Sequence, residues 1–201
     1  MCGIFGIVSQ KIPHRKHLKT LVRRSERRGK DSGGFVKVDE GKCFILRSDQ
    51  RLTKLLRTFS IGRSRLVFGH SRLVTNGPND NQPVVRDGVI VVHNGIVVNH
   101  AEIWPCLKEE PRLGVDTEVI AAIIARHLSQ KGELSEVADK VFELCKGVIS
   151  CLCLLPAKAK LLAFSNNGSL HEGWIGGDVF FASEAATLHQ MGCHDITAVD
   201  S

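Results

Sequence analysis

Cys2, directly behind Met1 in Met1-Cys2-Gly3-Ile4-Phe5-Gly6-Ile7-Val8, is the residue whose type and place most readily do chemistry. Removal of Met1 would leave a thiol and a free α-amine on one residue. An unperturbed thiol has a pKa of about 8.5 and an α-amine about 7.7–8.0, so near neutral pH much of the amine is unprotonated and can take the thiol proton. Nucleophile and base then come from a single residue. As a residue type alone, Cys2 is equally a small apolar side chain at a frayed terminus. Other polar residues are just as open when taken singly. Arg72 reads as one half of a surface ion pair, Asp116 as a helix N-terminal acid favoured by the dipole, and Asn94-Gly95 as a hairpin turn that favours positive φ.

A nucleophile at a chain end needs a rigid support, and Ile4, Phe5, Ile7 and Val8 give residues 2–9 the look of a buried strand. Residues 14–27 form an amphipathic helix with Leu18, Leu21, Val22 and Ser25 inward. Residues 34–39 and 42–48 are two strands turned by Glu40-Gly41; a short helical stretch follows near 50–59 and a strand over 66–74. Residues 84–92 form a hairpin turned by Asp87-Gly88, the strongest short hairpin signal, and His93-Asn94-Gly95 follows directly. Val119, Ile120, Ile123, Ile124 and Leu128 mark one helix ending near Gly132. Leu134, Val137, Val141, Leu144 and Cys145 mark another ending at Gly147, and the two should pack as neighbours. Strands over 148–155, 160–164 and 179–182 complete the pattern. The segment Gly173-Trp174-Ile175-Gly176-Gly177 reads as a turn, because no Lys-Ser/Thr follows to make it a phosphate loop. Strands, then helices, then strands predict an α+β layered fold.

The 201 residues suffice for one domain with a full core, and 1–201 is taken as a single domain. The longest apolar runs fall far short of the ~18 residues a membrane span needs, and the start lacks a signal-peptide pattern, so no membrane partner is expected and the cytoplasm is the expected compartment. Seven cysteines, at 2, 43, 106, 145, 151, 153 and 193, form an odd set without paired C-x-x-C spacing. Cys151 and Cys153 share a strand face, where core packing is the ordinary reading. No metal and no cofactor are expected. Net charge is +6, and eight Lys or Arg stand between His14 and Lys30 against the single acid Glu26. That run is a solvated helix face or a docking surface for an acidic partner. Nucleic acid is not expected, since Tyr is absent, aromatics are few and no binding motif accompanies the charge.

Five blocks, in order, carry a resemblance. They are Met1-Cys2-Gly3-Ile4-Phe5-Gly6-Ile7; Arg27-Arg28-Gly29-Lys30-Asp31-Ser32-Gly33-Gly34; Gly69-His70-Ser71-Arg72-Leu73-Val74-Thr75-Asn76-Gly77; His93-Asn94-Gly95-Ile96-Val97-Val98-Asn99; and Asp116-Thr117-Glu118-Val119. The chain resembles the glutaminase domain of class II, N-terminal-nucleophile glutamine amidotransferases, nearest the glucosamine-6-phosphate synthase, amidophosphoribosyltransferase and asparagine synthetase group. The resemblance implies a four-layer αββα sandwich of two mainly antiparallel sheets. It implies that Cys2 attacks the side-chain amide of L-glutamine, that its α-amine shuttles the proton, and that a thioester forms and is hydrolysed. Asn94 and Gly95 then match the oxyanion hole, Arg72 the clamp on the substrate α-carboxylate, and Asp116 the partner of the α-ammonium. Thr75, Asn76 and Gly77 match a loop that approaches substrate, and Arg28 an arginine that supports the nucleophile. The resemblance further implies a synthase subunit or domain to receive ammonia; a homo-oligomer is compatible with it. Leu73, Val74 and Asn76 depart from the Trp, Ala and His usual in the glucosamine-6-phosphate synthase branch, and Asn81-Gln82-Pro83 is similar to the other two branches, so the acceptor stays open. The alternatives are an amidohydrolase of the same fold acting on a γ-glutamyl or other amide, and a catalytically weak glutamine-binding subunit.

Overall fold

Successive side chains of a strand point to opposite faces, so a strand that is apolar at every position must be covered on both sides. β1 (Gly3–Val8) is such a strand: Phe5 and Ile7 join one core and Ile4 another, all fully buried. The structure, a computed structural model, describes residues 2–73 and 81–200. In it β1 lies between β4 (Leu66–Arg72) and β10 (Asp178–Ala182), antiparallel to both. With β2 (Ser32–Asp39), β3 (Lys42–Ser48), β9 (His171–Ile175) and β11 (His194–Ala198) they build a seven-stranded sheet ordered β11-β9-β10-β1-β4-β2-β3. A second sheet of four strands runs β5 (Val84–Arg86), β6 (Val89–Val97), β7 (Gly147–Leu155), β8 (Lys160–Ser165).

Three apolar clusters define the layers. Leu18, Leu21 and Val22 of α1 (Arg15–Ser25), Leu52 and Leu56 of α2 (Leu52–Thr58) and Leu188 of α6 (Ala185–Met191) pack on Phe5, Ile7, Phe35, Val67 and Phe180. On the other side α3 (His100–Leu107), α4 (Thr117–Ser129) and α5 (Val137–Leu144) cover Val91, Val97, Ile149, Cys151 and Cys153. Between the sheets, Ile4, Val36 and Phe68 meet Ile90, Val92, Leu152 and Leu154. The order is helix, sheet, sheet, helix, with antiparallel pairing in both sheets. This is the expected αββα sandwich.

Both hairpins form as expected, the first pairing Ser48 through Lys42 with Gly33 through Asp39, the second turning at Asp87-Gly88. Four elements were hidden in the sequence. α3 carries Pro105 inside a single helical stretch, which breaks the helical signal. α6 is only seven residues long. β9 and β11 are half-exposed strands with weak alternation. The segment read as a turn over 173–177 is therefore mostly strand: Gly173, Trp174 and Ile175 pair with β10, and only Gly176-Gly177 turns. Among the described residues no helix is long and apolar enough to cross a membrane.

Candidate functional site

Cys2 stands one residue before β1, and strand alternation puts it on the face that carries Ile4, toward the second sheet. Arg28 Nε donates to the Cys2 carbonyl at 2.8 Å, while Arg28 Nη1 pairs with Glu184 Oε1 at 2.9 Å. The next link is reciprocal: Ile4 N donates to Ser183 Oγ at 2.8 Å, and Ser183 N donates to Ile4 O at 3.1 Å. Residue 3 must be small, because a Cβ at Gly3 would lie 2.5 Å from Ser25 Oγ and 2.7 Å from Ser25 O. The Cys2 thiol donates to Leu73 O at 3.8 Å.

Arg72, the last residue of β4, lies on the same face as Phe68 and is 4% exposed. Its Nη1 donates to Asn81 Oδ1 at 3.2 Å; that oxygen also accepts from Ser32 Oγ at 2.7 Å, and the Asn81 amide donates to Asp49. Asn94 and Gly95 lie inside β6, opposite Ser150 and Ile149, not in a turn. Asn94 shares the inner face with Ile90 and Val92, so it and Arg72 look into the same gap between the sheets from opposite walls. Its side chain is 5% exposed and has no hydrogen-bond partner among the described residues. Gly95 has φ +149°, and a Cβ there would fall 1.7 Å from Val148 O. Only glycine lets β6 and β7 approach this closely. The Gln82 amide fastens the strand just before this point, donating Nε2 to His93 O at 3.0 Å and accepting from His93 N at 2.6 Å.

Asp116 precedes α4 but does not cap it. Its Oδ2 accepts from Val97 N at 2.8 Å, tying the end of β6 to the start of the helix, and its Oδ1 lies 4.0 Å from His93 Nδ1. Two residues on, the buried Glu118 accepts from Arg86 Nη1 at 2.7 Å, Arg112 N at 2.9 Å and Leu113 N at 2.8 Å, and Arg86 sits 4.9 Å from the centre of the Trp104 ring. The motif Asp116-Thr117-Glu118 thus divides its labour: Asp116 faces the strand end and Glu118 locks the first turn of α4.

Burial raises the Cys2 thiol pKa; the positive charge of Arg72 pulls it back down and the negative charge of Asp116 adds to the rise. Both charges therefore reach the sulfur. Burial, reinforced by the His93 and Arg72 charges, pushes His70 down to about 3, and His93 is also lowered by burial against an opposing pull from Asp116. Both histidines are neutral at pH 7. His93 Nε2 lies 3.2 Å from Val148 O, so geometry assigns it the proton and leaves Nδ1 to face Thr117 Oγ1 at 3.4 Å. Cys145, Cys151 and Cys153 are held above their ordinary range by burial and stay protonated. Cys2 differs from these three in being half-buried and close to a guanidinium.

A thiol at the same end of the sandwich as a guanidinium and a carboxylate, with an uncommitted amide donor across the gap, can receive a zwitterion and stabilise an oxyanion. The structure brings Cys2, Arg28, Arg72, Asn94, Gly95 and Asp116 to one end of the sandwich; Thr75, Asn76 and Gly77 lie outside the described residues. Sequence reasoning missed the supports: Asn81 under Arg72, Gln82 beside His93, and Ser183 and Glu184 beside Cys2. Their signal lay in position next to a motif, which a single sequence does not weigh.

A family model described as a glutamine amidotransferase domain matches residues 70–190, well over half of the chain. The chain belongs to the glutamine amidotransferase domain family. This amidotransferase domain is 32% identical over 199 residues to the isomerizing glutamine–fructose-6-phosphate aminotransferase of Mesorhizobium japonicum, covering 94% of the chain and 32% of that protein. It is also 32% identical over 197 residues to the enzyme of the same name from Agrobacterium fabrum, with the same coverage. The domain thus spans about a third of the length of the curated relatives it matches. Its fold is that of glutamine phosphoribosylpyrophosphate amidotransferase from B. subtilis complexed with ADP and GMP, at a TM-score of 0.78 and 22% identity over 96% of this chain and 44% of that one. A structure described as the allosteric regulatory enzyme of purine biosynthesis gives 0.80 and 20% over 99% and 45%.

Proposed function

We propose that the described residues act as one glutaminase unit in which Cys2, after loss of Met1, hydrolyses the side-chain amide of L-glutamine and hands the ammonia to an acceptor domain or subunit. The observation that carries this reading is the convergence of Cys2, Arg72 and Asn94 on one end of the gap between the sheets, with Asp116 at the end of β6; the charges of Arg72 and Asp116 would take the α-carboxylate and α-ammonium of a free amino acid. In the first step the Cys2 sulfur bonds to the amide carbon while its proton passes to the α-amine. The carbonyl oxygen, now negative, lies against the Asn94 side-chain amide and the Gly95 N–H. Collapse breaks the C–N bond as the amine returns the proton to the leaving nitrogen, releasing ammonia and leaving a thioester. Water then attacks the thioester carbon, glutamate leaves and the thiol is restored. Arg28 takes no part in bond making; it holds the Cys2 carbonyl. Thr75, Asn76 and Gly77 would complete the substrate side of the pocket.

Transfer, as against simple hydrolysis, is supported by the surface beside the site. Leu73, Ile96, Val98 and Val148, all at 40% exposure or more, stand at or next to the strand ends that carry Arg72, Asn94 and Gly95. An apolar rim at the mouth of a site that releases a neutral gas-like product suits a covering partner. All seven cysteines are free thiols, which fits the reducing cytoplasm. The test is mass spectrometry of the purified chain before and after 6-diazo-5-oxo-norleucine. One adduct on a Met1-free N-terminal peptide, with glutamate release abolished in Cys2→Ala, is expected; release that survives Cys2→Ala overturns the mechanism.

A further inference from the structure

The helical layer over the seven-stranded sheet holds a cavity that the proposed glutamine chemistry does not use. It lies between α1 and α2, has a volume of about 330 Å³, and is lined by Arg15, Lys19, Arg23, Thr53, Leu56 and Arg57. Arg15, Lys19 and Arg23 recur every fourth residue, so they stand one above another on the outer stripe of α1, while Leu18, Leu21 and Val22 fill the inner one. Like charges at that spacing repel, and a fourth cation, Arg57 of α2, closes the ring.

Neighbouring acids do not relieve this. Glu26, the one acid within residues 14–30, is committed elsewhere: it accepts from Thr53 N at 2.7 Å and Thr53 Oγ1 at 3.1 Å at the start of α2. Among the described residues Lys19, Arg23 and Arg57 have no ion pair. Arg15 is fixed as a wall of the cavity, donating from Nη1 to Phe59 O at 3.1 Å and from Nη2 to Leu56 O at 2.8 Å. A concave surface with four converging cations and two carbonyl-anchored nitrogens is partly organised before any ligand arrives.

We propose that this cavity binds the phosphoryl or pyrophosphoryl group of a small metabolite. Guanidinium forks match phosphate oxygens, and the charge in a recess with a low-dielectric floor of Leu56 attracts an anion more strongly than a flat basic face does. The volume is that of a small-molecule pocket. A nucleic-acid strand fits less well, because none of the six lining residues is an aromatic on which a base could stack.

Isothermal titration of the full chain with sodium pyrophosphate at low ionic strength tests this. Saturable binding at one site is expected, weakened at least about tenfold in the triple variant Lys19→Gln/Arg23→Gln/Arg57→Gln. The control triple Lys146→Gln/Lys158→Gln/Lys160→Gln, drawn from the link between α5 and β7 and from the β7–β8 hairpin, should bind as the parent does. Arg57→Gln alone serves if the triple melts below the assay temperature, and an intermediate weakening is expected. Three outcomes overturn the proposal: no saturable binding, equal losses in the two triples, or displacement of pyrophosphate by duplex DNA at equal charge concentration.

Discussion

At the scale of single residues, Arg72 and Asp116 push the Cys2 thiol pKa in opposite directions, and each substitution therefore has a signed effect. A carboxylate disfavours the thiolate and a guanidinium favours it. Asp116→Asn removes an influence that raises the thiol pKa, so the pH at which iodoacetamide alkylates Cys2 half-maximally should move down; Arg72→Gln should move it up. Loss of Asn94 acts differently. Its amide has no partner to stabilise, so Asn94→Ala should leave the fold intact and lower kcat by about 10²–10³ with little change in KM, the mark of a donor engaged only in the transition state. Steady-state glutamate release measures both constants. These residues were legible in the sequence because chemistry-bearing types were gathered in five short blocks. The residues that hold them were not: Asn81 sits nine residues from Arg72 and Gln82 eleven from His93, and their amides count only once the chain is folded.

At the scale of elements, the first turn of α4 positions Asp116 through Glu118. That carboxylate is 1% exposed and is shared by Arg86, Arg112 N and Leu113 N, with Arg86 itself buried beneath Trp104. Arg86 keeps Glu109 and Asp87 as partners when Glu118 is removed, so the loss falls on one of its ion pairs and on the N–H groups of Arg112 and Leu113. Glu118→Ala should cost roughly 1–3 kcal/mol in urea unfolding and, in the protein that remains folded, raise KM for glutamine as Asp116 loses its footing. Strands with full apolar runs and Asp-Gly or Glu-Gly turns were read correctly because pattern and turn chemistry agreed. β6 was read five residues too short: His93-Asn94-Gly95 looks like a loop by composition, yet the ladder to β7 carries the strand to Val97. Tertiary pairing outweighed local turn preference there, and Gly95 is the residue that allows it. α3, α6, β9 and β11 lacked any such agreement between composition and length.

For the whole molecule, the two neutral buried histidines tie stability to pH. His70 in the folded state titrates near 3, against an ordinary 6.5. Below pH 6.5 the unfolded chain takes up a proton that the native state refuses, so stability is full above that value and falls as pH drops toward 3, by up to about 1.4 kcal/mol per pH unit for each such group. His93, also lowered, acts in the same direction. Urea midpoints collected from pH 7 to 4.5 should decline steeply, and His70→Gln should flatten the slope; an unchanged slope would place the acid sensitivity elsewhere. The layered architecture was readable in outline from the order of strands and helices, whereas the strand order was not, since nothing local tells β1 to sit between β4 and β10. That placement governs how the protein is born. Ile4 hydrogen-bonds to Ser183, 179 positions along the chain, so β1 is synthesised on the order of ten seconds before its β10 side can be covered at ordinary translation speed. Throughout that interval β1 has no neighbour on its β10 side, and a ribosome that stalls before residue 182 would release an apolar ribbon with an open edge.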